Sequence, residues 1–125
     1  METSIEVMTT QQVAARFFEL AQQEKWFEIQ DELFSDDVKS IEPDGSNFLP
    51  NAEGKANVRK KGETWVSKVE AVHSAHTMKP VVAGNHFVVG REKEMTVQGM
   101  GKIQVAELMV YEVKDGQIVK EQFFY

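Results

Sequence analysis

Three turn signals, Ala83-Gly84-Asn85, Gly99-Met100-Gly101 and Lys114-Asp115-Gly116, cut the second half of this chain into long strand-like runs. The runs cover residues 69–82, 86–98, 102–113 and 117–125. Runs this long joined by connections this short pair antiparallel, so this half reads as a four-strand meander whose last three strands can curve strongly. The sequence Gln122-Phe123-Phe124-Tyr125 is aromatic on both parities, which predicts that both sheet faces are covered there.

The first half carries a helical period instead. Thr9-Thr10-Gln11-Gln12 has the capping-box pattern: the Thr9 hydroxyl accepts from the third helical amide while the Gln12 side chain reaches back. Val13, Phe17, Leu20 and Ala21 then recur at helical spacing, with Ala14 and Phe18 widening the apolar stripe. A second, shorter helix puts Trp26, Ile29 and Leu33 on one face and ends near Asp36 and Asp37, a solvated helix end or turn. Residues 38–42 read as a short strand stopped by Glu42-Pro43-Asp44-Gly45, and 46–54 as loop. A third helix starts near Lys55, with Val58, Gly62, Trp65 and Val69 on its apolar face and Arg59, Lys60 and Lys61 on a solvated one. Helices followed by long strands make an α+β plan, the helices packed on one face of the sheet.

At 125 residues and 42% hydrophobic the chain suits a single domain, taken as 9–125 after a flexible lead-in over 1–8, with Met8 an alternative start. A net charge of −6, from 20 acidic and 14 basic residues, argues against nucleic acid as a partner. The absence of cysteine excludes thiol nucleophiles, thiolate metal sites and disulfides, and makes the cytoplasm the default location. No apolar run is long enough for a membrane helix, and the first residues lack a signal-peptide pattern, so no membrane partner is expected. No histidine pair has helical zinc spacing and no glycine-rich phosphate loop occurs, so no metal or cofactor is expected.

The order helix, helix, short strand, helix, meander resembles the nuclear transport factor two-like superfamily, specifically its SnoaL-like and ketosteroid-isomerase-like branch. The residues that carry the likeness are Glu32-Leu33-Phe34-Ser35-Asp36-Asp37-Val38 running into Ile41-Glu42-Pro43, then Gly54-Lys55, then Val110-Tyr111-Glu112-Val113-Lys114-Asp115-Gly116-Gln117-Ile118-Val119. The likeness spans nearly the whole chain from about Thr9. It implies a cystatin-like cone, three N-terminal helices closing a hydrophobic pocket wrapped by a curved, mainly antiparallel sheet. It also implies a homodimer through the outer sheet face. Members include isomerases, polyketide cyclases, dehydratases, epoxide hydrolases and non-catalytic binding domains, so fold alone does not decide activity.

In the ketosteroid isomerases a carboxylate just before a proline at the end of the first strand abstracts a proton beside a carbonyl, and Glu42-Pro43 falls on that motif. Burial at the mouth of an apolar pocket makes such a carboxylate a stronger base. The oxyanion donors of those enzymes fall on Phe18 and at or near Met109, neither of which can donate. If Met109 faces the pocket, Glu107 and Tyr111 face it too, and either is a replacement donor; the alternative puts Tyr111 in the core and Glu107 outside. Of the histidines, His76 shares parity with Met78 and Val82 and is the one favoured to line the pocket, while His86 follows a turn signal and reads as exposed. The epoxide-hydrolase pattern of an arginine and two aspartates fails: Arg91 is suitably placed, but Lys93 and Gln122 stand where the acids belong. Arg91-Glu92-Lys93-Glu94 reads instead as an exposed edge or a charged dimer rim.

Two readings follow. One is a cofactor-free isomerase, cyclase or dehydratase acting on a small, mostly apolar carbonyl compound, with Glu42, His76, Glu107 and Tyr111 as catalytic groups and Phe17, Phe18, Trp65, Met109 and Phe123 lining the ligand pocket. The other is a non-catalytic dimeric domain that binds a ligand or a protein, in which Glu42 faces solvent or caps a turn and the cavity is small or filled by Met and Phe side chains. Strand parity separates them. Val38 and Ile41 lie on opposite parities, so the sequence leaves open which face of 38–42 is buried.

Overall fold

In the computed structural model, which describes residues 7–125, the chain runs α1 (Thr10–Gln22), α2 (Trp26–Leu33), β1 (Phe34–Ile41), β2 (Ala52–Glu53), α3 (Lys55–Lys68), β3 (Val69–Thr77), β4 (Val81–Ala83), β5 (His86–Val97), β6 (Gly101–Lys114) and β7 (Gln117–Phe124). Six strands follow the order β2-β1-β7-β6-β5-β3, with β4 also on β5. Pairing is antiparallel except between β1 and β7. Three helices therefore pack on a curved, mainly antiparallel sheet, as the α+β plan requires. Most of the expected lead-in, residues 1–6, lies outside the described residues, while Met8 packs against the core.

Local chemistry explains most boundaries. The Thr9 hydroxyl accepts from the Gln12 amide at 3.2 Å and the Gln12 side chain accepts from the Thr9 amide at 2.9 Å, which completes the capping box. Gly54, at φ 90°, holds the left-handed backbone that turns β2 into α3. The run at 69–82 is broken by the Met78-Lys79-Pro80 segment, because Pro80 has no amide to continue the ladder. Across that break, Met78 lies so close to Gly90 that a Cβ there would meet its sulfur at 2.6 Å.

The first strand differs most from expectation. It begins at Phe34, where the second helix was extended toward Asp36 and Asp37, and it pairs with the short β2 inside the segment read as loop. Its register against β7 shifts between Phe34 and Lys39, leaving Asp36 and Asp37 as consecutive exposed residues. That irregularity breaks the strict alternation by which a strand is recognised. Beyond it alternation resumes, with Val38, Ser40 and Glu42 all buried and Lys39 exposed.

Val13, Phe17, Leu20 and Ala21 of α1 bury against the inward faces of β5 and β6. The Phe17 ring stands 4.6 Å from Tyr111 and 5.3 Å from Phe87, with Trp26 at 5.9 Å, centroid to centroid. These rings close one end of the cone. Along the same faces β5 continues through Arg91, Lys93 and Met95 and β6 through Glu107 and Val105, where helix packing gives way to a cavity. No helix among the described residues is long and apolar enough to cross a membrane.

Candidate functional site

The cavity has a volume of about 570 Å³ and lies between the sheet, α2 and α3. Apolar side chains, among them Trp26, Phe48, Trp65, Val105, Met109 and Phe123, form most of its wall. Set into that wall are Glu42, Lys61, Arg91, Lys93, Glu107, Tyr111 and Glu121, a concentration of charge typical of sites where an apolar ligand is oriented or transformed.

Glu42 points inward because it shares parity with Val38 and Ser40. Its carboxylate accepts from the Lys61 ammonium at 2.6 Å and from the Tyr125 hydroxyl at 2.6 Å. Lys61 also donates to Ser40 Oγ at 2.8 Å, and Ser40 donates to the Glu121 carboxyl at 2.7 Å. A continuous chain thus runs Tyr125–Glu42–Lys61–Ser40–Glu121. Burial, and then the hydrogen bond to Glu42, push the Tyr125 hydroxyl up to about 12, so it remains a proton donor at neutral pH.

Lys61 overturns its assignment to the solvated face of the third helix: it is 9% exposed. Its place at the spacing Val58-Lys61-Gly62-Trp65 puts it on the apolar stripe, and its ammonium is paired there with Glu42 and Ser40. Glu121 went unnoticed in the sequence, although it shares parity with Phe123 two residues on.

Glu107 stands directly opposite Arg91 in the β5–β6 register and makes no hydrogen bond among the described residues. Burial pushes its carboxyl up to about 7, with the Glu42 charge adding to the rise and Arg91 and Lys93 opposing it. Glu121 rises to about 7 for the same first reason, against the Ser40 hydrogen bond and the Lys61 charge. Both acids therefore exchange protons near neutrality. Tyr111 is fully buried at the cavity floor, and its hydroxyl donates only to the Met109 sulfur, at 3.7 Å. A thioether is a weak acceptor, so that proton is available to a ligand oxygen.

Arg91 and Lys93 correct the reading of 91–94 as an edge or rim. Strand β5 is flanked on both sides, and alternation sends Arg91 and Lys93 inward while Glu92 stays outside. Arg91, 5% exposed, forks onto Glu24 with contacts of 2.7 and 3.2 Å, donates to Thr77 at 2.7 Å and lies over the Trp26 ring.

Trp65, Met109 and Phe123 line the cavity, as do Glu42, Glu107 and Tyr111. Phe17 does not, being packed into the aromatic core, and Phe18, one position around α1, is partly exposed away from it. His76 does not reach the cavity either: residues 70–76 of the edge strand β3 are exposed, and His76 stands opposite Glu92 on the outer face of the sheet. His73 is likewise exposed and bonds Thr96, and His86 is exposed as read. Among the described residues no three His, Asp or Glu side chains converge as a metal site would require.

The two raised carboxyls carry a stability consequence. Each titrates near 4.5 when unfolded and near 7 when folded, so the native state holds more protons in between and stability declines as pH rises through that window. The loss is on the order of 3 kcal/mol per group. Glu121→Gln removes one share: urea unfolding should show the variant gaining on the parent protein between about pH 5 and pH 8. An unchanged difference would contradict the raised value.

A family model described as a SnoaL-like domain matches residues 8–125. A candidate SnoaL-like polyketide cyclase of Mesorhizobium loti is similar in structure, with TM-score 0.88 and 28% identity over 94% of this chain and 100% of that one. A candidate isomerase of Bacillus subtilis has TM-score 0.70 and 17% identity over 93% and 88% of the two chains. TerC, crystallised with polyporic acid, has TM-score 0.71 and 12% identity over 93% and 90%. The last two likenesses speak to fold alone. No match to this chain is found among curated proteins.

Proposed function

The chain belongs to the SnoaL-like domain family, and from that premise we propose that it is a cofactor-free enzyme that moves a proton beside the carbonyl of a small, mostly apolar compound, in an isomerisation, cyclisation or dehydration. The observation that carries this reading is the inward Glu42, sharing one cavity with the protonatable Glu107 and the Tyr111 hydroxyl. Glu42 serves as base. Its carboxylate keeps lone pairs beyond those used by Lys61 and Tyr125, and the ammonium offsets its charge in a low-dielectric wall.

A proton leaves carbon only if the developing oxygen anion is stabilised. Tyr111 and protonated Glu107, both on β6, supply donors where the ketosteroid-isomerase pattern had seemed empty at Phe18 and Met109. Glu42 then returns the proton to the product, while Glu107, with its value near 7, stays a donor to the oxygen only while protonated. The rate should therefore have a pH limb near 7 that disappears in Glu107→Gln, read as kcat/KM against pH. A limb unchanged in that variant would exclude Glu107 from the reaction.

The non-catalytic reading called for a Glu42 that faces solvent or caps a turn and a cavity that is small or filled. An open cavity with several polar groups favours chemistry instead. The homodimer stays part of the proposal: Leu108 and Phe124 are neighbours on the outer sheet face and about half exposed, an apolar patch that a second copy would cover. Light scattering at micromolar protein should give twice the chain mass, and monomer alone would refute it.

A further inference from the structure

The acid/base reading leaves one charged group in the cavity without a task. Lys61 is paired with Glu42 and Arg91 with Glu24, but Lys93 is half-buried on the cavity wall with no ion pair or hydrogen bond among the described residues. It follows Arg91 by two positions on β5, so both cations leave the same face of the strand. An ammonium with three donors and no acceptor, beside a guanidinium, has lost water without a replacement. Burial first and Arg91 second hold Lys93 below the ordinary lysine range, against the pull of Glu24 from the α1–α2 turn and of Glu107 from β6. What the position lacks is an anion.

We propose that the cavity takes a ligand with one carboxylate, held by the Lys93 ammonium with Arg91 beside it, and a ring system lying against Trp26, Trp65 and Phe123. Glu24 already balances Arg91 and Glu107 adds no charge when protonated, so the local surplus is a single positive charge and suits a monoanion better than a phosphate dianion. In the β5–β6 register Lys93 lies opposite Val105, two residues from Glu107, a step of about 7 Å along the strand. One small molecule therefore spans both ends, its carboxylate at Lys93 and its reacting carbonyl toward Glu107 and Glu42. This rests on the reading above and narrows its substrate class to aromatic or alicyclic keto acids.

The test is calorimetric titration of the whole protein with 2-naphthylacetate and with its uncharged methyl ester. The acid should bind at least about tenfold tighter than the ester, and Lys93→Met should bring that ratio to about 1 while the ester's affinity holds, which also reports that the variant is folded. Lys93→Gln should behave alike if methionine proves disruptive. A ratio near unity in the parent protein, a ratio that survives both substitutions, or no saturable binding of either probe overturns the proposal. Should the ratio hold while no keto acid turns over, the acid/base reading fails and the anion site stands.

Discussion

Replacing Lys61 by methionine is expected to destabilise the protein by about 3–5 kcal/mol, the cost of leaving a buried charge without its partner. Methionine keeps the length and apolar stem of the lysine, so little of that loss comes from a cavity. What is lost is the ammonium shared by Glu42 at 2.6 Å and Ser40 at 2.8 Å, which leaves the Glu42 carboxylate with Tyr125. Adding Glu42→Gln to Lys61→Met removes the stranded charge and should recover most of the loss. Lys60, on the exposed side of the same helix, should tolerate methionine within about 0.5 kcal/mol. Urea unfolding of the four proteins in the cycle gives the coupling. Single and double variants with additive losses would mean that the pair contributes nothing as a pair.

The second large effect concerns activity. Glu42→Gln keeps the volume and hydrogen-bonding reach of the side chain but removes its basicity, so kcat should fall about 10²–10⁴-fold, the usual contribution of a positioned general base. KM should change little, because an apolar ligand is held by Trp65, Met109 and Phe123, which the substitution does not touch. The substitution leaves the buried Lys61 ammonium with Ser40 alone and should itself cost stability, so the loss of rate is read on protein that urea unfolding shows to be folded.

Those residues were unequally legible in the sequence. The meander was plain because glycine-bearing turns separate runs whose period is unambiguous, and the first helix because Thr9 and Gln12 announce its start. The first strand was half hidden: an irregular register lets Asp36 and Asp37 face water in succession, which imitates a helix end. Glu42 was recognised as a candidate but not oriented, since Val38 and Ile41 pull opposite ways; burial of Ser40 decides for the pocket.

Charge misled the reading of Lys61, Arg91 and Lys93. Each sits at a position whose spacing or parity points inward, yet charged side chains are so seldom buried that residue type outweighed position. Partners make the burial of Lys61 and Arg91 tolerable, and both are distant in sequence: Glu24 reaches Arg91 from the α1–α2 turn, and Glu42 reaches Lys61 from the end of β1. His76 erred through its parity: in the β3–β5 register it stands opposite the outward Glu92, while its neighbour Thr77 pairs with Arg91 and turns inward.

The central claim is that Glu42 takes a proton from carbon inside this cavity. It is tested most directly by incubating the protein in heavy water with a panel of aryl and alicyclic keto acids and following deuterium entry beside the carbonyl by proton NMR. The account predicts enzyme-dependent exchange in at least one of them, reduced about 100-fold or more in Glu42→Gln; exchange undiminished in that variant would contradict it.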